Sequence, residues 1–169
     1  MLNLAKSSLK TFPRKDKFTK FQEERLIERL KKEEGFRSCS YFDNKQWTWG
    51  YGTRAPSAAV YINHKDAEKE LRKAVKNTIK EYNWVRKKCP FPINEVRREA
   101  FAVMIFNMGL PTFKKFRKML KLIFNNNDND WDKVAEAATC SIWYRQIGDR
   151  AKRICYELKT GKFYEENNN

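Results

Sequence analysis

The chain has 169 residues, with 36 Lys and Arg against 21 Asp and Glu, a formal net charge of +15, and 41% hydrophobic and 14% aromatic residues. That length suits one domain, and the apolar content supports a sizeable core and excludes wholesale disorder. The charge predicts attraction to polyanions, but nucleic acid, anionic lipid and anionic cell-wall polymer all satisfy it.

Residues 1–20 are basic and poorly patterned, and Pro13 interrupts them, so they read as a flexible arm ahead of a single domain over 21–169. From Phe21 to Glu34 the spacing is helical, with Leu26, Ile27 and Leu30 on one side, and Gly35 is a natural C-terminal residue. Arg37 to Tyr51 then reads as strand. Trp47, Trp49 and Tyr51 alternate on one face, Thr48, Gly50 and Gly52 on the other, and Asp43 to Gln46 form the hairpin turn.

Asn63 can cap a long helix over 64–87, on which Ala67, Leu71, Ala74, Val75, Thr78, Ile79 and Tyr82 keep helical spacing. "CPFPIN", Cys89 to Asn94, breaks it. Asn94 caps a helix that is apolar on almost every side after Glu99, which places it mid-core, and Gly109 and Pro111 end it. A further helix starts at Thr112 and carries Phe113, Phe116, Met119, Leu120 and Ile123. A loop follows over 125–130. Asp130 caps a helix with Trp131, Val134, Ala135 and Ala138, and Asp149 caps the last one, closed by Gly161. The outline is α+β: a small β-bearing lobe over about 35–62, a long connecting helix, and a helical lobe over about 94–162.

Cys39, Cys89, Cys140 and Cys155 are far apart and only one His is present, so no zinc-ligand pattern exists and free thiols in a reducing compartment are expected. No run approaches the ~20 apolar residues of a membrane span. The start of the chain lacks the apolar stretch of a signal peptide. No metal or cofactor is expected.

The chemistry concentrates in "EGFRSCSYFD" and "TWGYGT", within Glu34 to Thr53. Two carboxylates flanking one short hairpin suit general acid–base work, in which one gives a proton and the other stays charged. Glu34 closes a helix, whose negative end disfavours a second negative charge and so favours the proton-carrying form that a general acid needs. Asp43 opens a polar turn suited to an ionised carboxylate. Thr48 falls on the glycine-lined face, where nothing bulky blocks a sugar. Trp47 and Trp49 either stack on sugars or anchor the sheet, and His64 reads as exposed and non-catalytic.

These motifs resemble the phage lysozymes of glycoside hydrolase family 24. "VRREAFAVMIFNMG", Val96 to Gly109, is similar to that family's central helix, and "WYRQIGDRAKR", Trp143 to Arg153, to its closing segment; the resemblance runs from about Arg25 to Phe163 in order. It implies a lysozyme-like fold and a muramidase that cleaves the β-1,4 bond between N-acetylmuramic acid and N-acetylglucosamine with inversion. It implies Glu34 as acid, Asp43 as carboxylate and Thr48 as holder of the water. It further implies Phe106 in the interlobe cleft and Arg150 as the partner of the catalytic Glu. The Asp-to-Thr turn is one residue shorter here, with four residues between Asp43 and Thr48. Either the turn tightens and Thr48 keeps its place, or the water site shifts.

The partner expected is peptidoglycan, met by a monomer made in a host cytoplasm, with no transmembrane segment and a holin or other lysis protein for release. Three rivals stand beside it. One is an inactive wall-binding or virion-structural protein, which the short turn favours. Another is a lytic transglycosylase, which needs only the acid. The last is a nucleic-acid binder, which the charge alone favours and the dispersed basic residues oppose.

Overall fold

The computed structural model describes residues 16–43, 46–125 and 130–165, so most of the expected arm and parts of two turns lie outside the described residues. Helix α1 spans Lys20–Glu34. Thr19 caps it in a reciprocal box: the Thr19 hydroxyl accepts from the Gln22 amide at 3.2 Å and the Gln22 side chain accepts from the Thr19 amide at 3.0 Å. Such caps contribute about 1 kcal/mol. Leu26, Ile27 and Leu30 are fully buried, as the spacing predicts. Gly35 ends the helix at φ 64°, a conformation that favours glycine.

Residues just ahead of α1 pack on the body. Asp16 is buried and pairs with Arg86 at 3.4 Å, the Phe18 ring meets Tyr82 edge-on at 5.6 Å, and Arg98 donates to the Lys17 carbonyl at 2.8 Å. The stretch 16–19 therefore belongs to the folded unit.

Three strands make the small sheet: β1, Arg37–Asp43; β2, Gln46–Gly50; and β3, Thr53–Arg54. The sheet is antiparallel in the order β1-β2-β3. Asp43 faces Gln46 and Tyr41 faces Thr48, with an irregularity between Arg37 and Tyr41. The expected alternation holds, but its inner face is the small one. Thr48 and Gly50 are buried while Trp47 and Trp49 are half-buried. The cause is the next helix. A Cβ on Gly50 would stand 2.9 Å from the Ala67 Cβ, so the backbone is pressed against that helix.

Helix α2, His64–Lys88, joins the lobes and is capped by the Asn63 side chain on the Asp66 amide. Helix α3, Glu95–Phe113, carries the centre of the core, with Ala100 to Ile105 buried in one unbroken run. It turns at Gly109, φ 74°, and one further turn holding Pro111 follows. Helix α4, Arg117–Asn125, therefore starts later than Thr112. Phe113 lies in the turn and Phe116 just ahead of α4, their rings 6.2 Å apart.

Helix α5, Trp131–Thr139, is capped by Asp130. A short helix that the spacing does not predict, α6 over Ile142–Ile147, is capped by Ser141. The last helix, α7, spans Asp149–Thr160, and its N-cap is Gly148 with no side-chain bond. Asp149 is instead its first residue, exposed and paired with Lys152 at 2.8 Å, which corrects the expected cap. Gly161 closes α7 at φ 68°, and a Cβ there would stand 2.6 Å from the Asn94 amide nitrogen, so the glycine also allows α7 to meet the start of α3. Among the described residues no helix is long and apolar enough to cross a membrane, and all four cysteines stand as free thiols.

Candidate active site

The end of α1 carries Glu34 to the junction of the lobes. Its side chain is 18% exposed, and its Oε1 accepts from Arg150 Nη1 of α7 at 2.6 Å and from Asn107 Nδ2 of α3 at 3.2 Å. From the other side the sheet lobe closes in. A Cβ on Gly52 would stand 3.1 Å from Glu34 Oε2, so this glycine leaves the carboxylate its space. Three helices and the β2–β3 turn thus fix one side chain.

Arg150 is itself held. Its Nη2 donates to the Glu33 carbonyl at 2.8 Å, and its Nε lies 3.6 Å from Glu33 Oε2. Behind it Arg29 joins three carboxylates: Glu33 at 2.8 Å, Glu157 at 3.0 Å and Glu99 at 3.4 Å, and Glu99 also takes Arg25 at 2.8 Å. The Glu99 and Glu157 side chains are 2% and 4% exposed. Burial pushes the Glu157 carboxyl above its usual range, and the Arg29 charge pulls the other way. Breaking one member of such a buried set leaves an uncompensated charge, at about 3–5 kcal/mol.

Asp43 is the reverse of Glu34. It ends β1 beside the hairpin turn and is exposed, and its carboxylate has no hydrogen bond or ion pair to the described residues. Tyr41, two residues earlier on the same face of β1, feels both acids: burial first, then the Asp43 and Glu34 charges, hold its phenol above its ordinary range, while Arg37 pulls it down. The Arg37 guanidinium lies 4.4 Å from the Tyr41 ring centre.

Thr48 does not face an open glycine-lined wall. It is buried in the middle of β2, between Tyr41 of β1 and Arg54 of β3, and its hydroxyl has no hydrogen-bond partner among the described residues. Phe106 stands on α3 where unbroken burial gives way to half-exposure over 106–110, beside Asn107 and against the core. Trp47 meets Phe42 edge-on at 5.3 Å in the hairpin, so it packs within the sheet. His64 is exposed, its ring stacked on Phe36 at 3.6 Å and its Nδ1 3.3 Å from the Tyr51 hydroxyl, pinning the start of α2 to the sheet.

Two neighbours of the acids escape the sequence reading. Asn107 carries a signal: it is the first polar residue after the unbroken apolar run Ala100 to Phe106. Tyr41 carries none, since an aromatic at a half-buried strand position is common.

The phage lysozyme family profile matches residues 31–156, which takes in Glu34, the sheet, α2 to α6 and most of α7. The chain belongs to the phage lysozyme family. Over 69 residues it is 35% identical to the pre-baseplate central spike protein Gp5 of Enterobacteria phage T4, and over 69 residues 35% identical to the probable T4-type lysozyme 2 of Dictyostelium discoideum. Each match covers 41% of this chain, and they cover 12% and 39% of the two relatives' own length. Family membership accounts for the small antiparallel sheet set ahead of a helical body.

Proposed function

We propose that the chain is a peptidoglycan hydrolase, a muramidase that cuts the β-1,4 bond between N-acetylmuramic acid and N-acetylglucosamine and inverts the anomeric carbon. The observation that carries this reading is the contrast of the two acids. Glu34 is fixed by donors from α3 and α7 against Gly52, and Asp43 stands exposed at the end of β1, its carboxylate unpaired among the described residues. A positioned acid and an ionised carboxylate are the pair that glycoside hydrolysis needs.

In this mechanism Glu34 protonates the leaving oxygen. Arg150 and Asn107 orient its carboxyl, and Asn107 also offers a carbonyl without a hydrogen-bond partner among the described residues. Asp43 stabilises the developing positive charge and directs a water to the opposite face of the sugar. An inverting pair stands ~6.5–9.5 Å apart to admit that water. Thr48 is the candidate to hold the water, because a buried hydroxyl lacking a protein partner is costly unless a water meets it. Phe106 lines the cleft beside the acid. The protein acts as a monomer on the wall after synthesis in a host cytoplasm, with a holin or other lysis protein to release it.

A second reading has one observation behind it: the T4 relative is a pre-baseplate central spike protein, so the chain can serve as the wall-cutting part of a virion. Both readings share the chemistry. The test is purified protein on purified peptidoglycan beside Glu34→Gln, with new reducing ends as the readout. Wild-type release and its loss in the amide variant support the reading. Equal release by both removes Glu34 from the mechanism, and no release by wild type leaves an inactive wall-binding fold.

A further inference from the structure

Helix α2 buries Leu71, Val75, Tyr82 and Val85 and presents a different face to solvent. On that face stand Lys65, Lys69, Lys73, Lys76, Lys80 and Lys87, all exposed. At 100° and 1.5 Å per residue they fall within a sector of roughly 80° over about 33 Å of helix, in steps near ~6 Å where they are four residues apart. The helix's acids lie outside the sector. Glu68 is taken by Lys31 at 2.9 Å and Arg72 at 2.8 Å, and Glu70 by Lys73 at 2.7 Å. Among the described residues Lys65, Lys69, Lys76, Lys80 and Lys87 have no ion pair. A hollow of about 490 Å³ runs along the N-terminal half, lined by Lys65, Glu68, Lys69, Arg72, Lys73 and Lys76.

Like charges three and four residues apart repel and weaken a helix. Lys65, Lys69, Lys73, Lys76 and Lys80 follow one another at three or four residues, so the row is unfavourable for the free protein, and a polyanion relieves it. The residue type narrows the ligand. An ammonium is a compact point charge that meets phosphate oxygens from any direction, which suits a run of phosphates that no fixed planar fork has to match. The shape narrows it again. The charges form a narrow line rather than a broad plane, and the apolar side of α2 is in the core, so this helix has nothing to insert into a bilayer.

We propose that the lysine face of α2 is a docking surface for a linear phosphodiester polymer of the cell wall, which holds the protein on its substrate separately from the cleft. Nucleic acid shares the phosphodiester chemistry; the choice of a wall polymer rests on the muramidase reading.

The experiment measures binding of soluble poly(glycerol phosphate), duplex DNA and vesicles of phosphatidylglycerol in phosphatidylcholine. It compares the wild type with two variants of equal charge. One carries Lys→Gln at positions 65, 69, 76, 80 and 87. The other carries Lys→Gln at positions 20, 133, 152, 159 and 162. Glutamine keeps helix propensity, so the first variant stays folded. The α2 variant is expected to lose at least about tenfold in affinity for the polymer, and its log–log salt slope to fall by about 4, at ~0.7–0.9 per phosphate contact. The control variant is expected to lose less than half as many decades. Equal losses in the two variants would mean that net charge alone binds, and no loss would remove the surface. Tighter binding of wild type to DNA or to vesicles than to the polymer would overturn the assigned source. None of these readouts needs bond cleavage, so an inactive enzyme with an intact lysine face remains distinguishable from an active one without it.

Discussion

Glu34 and Asp43 are both acids at the edge of the same small sheet, yet the protein treats them differently. Glu34 is gripped from α3, α7 and the Gly52 turn, with a cation at 2.6 Å. Asp43 is placed by backbone alone, at the last residue of a strand, and its carboxylate is exposed. A proton donor must meet one oxygen of the substrate at hydrogen-bond range, so its rotamer is fixed. A carboxylate that acts by charge and through a water tolerates more freedom.

The most severe way to break this contrast is at the gripped acid. Glu34→Gln keeps shape and hydrogen bonds but cannot give a proton, and a fall in wall hydrolysis of at least about 10²–10⁴-fold is expected at little cost in folding. Asp43→Asn is expected to lose less, about tenfold to 10²-fold, because a polar side chain still occupies the turn. Steady-state release of reducing ends ranks the two, and an Asp43→Asn enzyme equal to wild type would take Asp43 out of the reaction.

The grip itself is tested one step back. Arg150→Ala is expected to lower kcat by about tenfold, since a displaced acid misses the geometry that positioning supplies. Asn107→Ala, which removes the longer bond, is expected to lose only a few-fold. If Asn107→Ala proves the more damaging, the orientation runs through α3 and not α7.

The brace behind the grip gives a stability prediction. Arg29→Ala leaves Glu33, Glu99 and Glu157 without their shared cation, and a loss of about 3–5 kcal/mol in urea unfolding is expected. Glu157 adds a pH signature. Its folded-state carboxyl sits above the ordinary value, chiefly through burial. Between the unfolded and the folded value the native state therefore holds more protons than the unfolded state, and this group's contribution to stability falls as pH rises through that window. Glu157→Gln is expected to flatten that part of the stability profile, and an unchanged slope would mean that Glu157 titrates alike in both states.

Much of this was legible in the chain. The strand pair and the long helix follow from spacing and turn chemistry, and α3 from an apolar run too long and too uniform to be a surface helix, whereas the pairing of Glu34 with Asp43 as acid and carboxylate rests on the family resemblance. Other features were hidden for physical reasons. Strand β3 is two residues long and exists only because β2 offers it an edge. Helix α6 has six residues, too few for a periodic signal. Asp149 mimicked a cap because an acid in the first turn and an acid at the cap are equally favourable near a helix start, and the position of Gly148 decides between them. The alternation in β2 was correct, but the glycine-lined face expected to be open is the covered one. Which side is covered depends on Ala67, more than a dozen residues away, and no local pattern carries that. Arg150 was found through resemblance, whereas the Arg29 cluster brings together residues from α1, α3 and α7 that no spacing rule connects.

The central claim is that Glu34 and Asp43 work as an acid and a water-directing carboxylate on opposite faces of one sugar. Proton NMR of the new anomeric centre, recorded early in the digestion of purified glycan fragments before mutarotation, tests it most directly. The α-anomer appearing first is the expected result. A β-anomer appearing first would show retention, and a 1,6-anhydro end would show that no water attacks at all; either would contradict the roles assigned to Asp43 and Thr48.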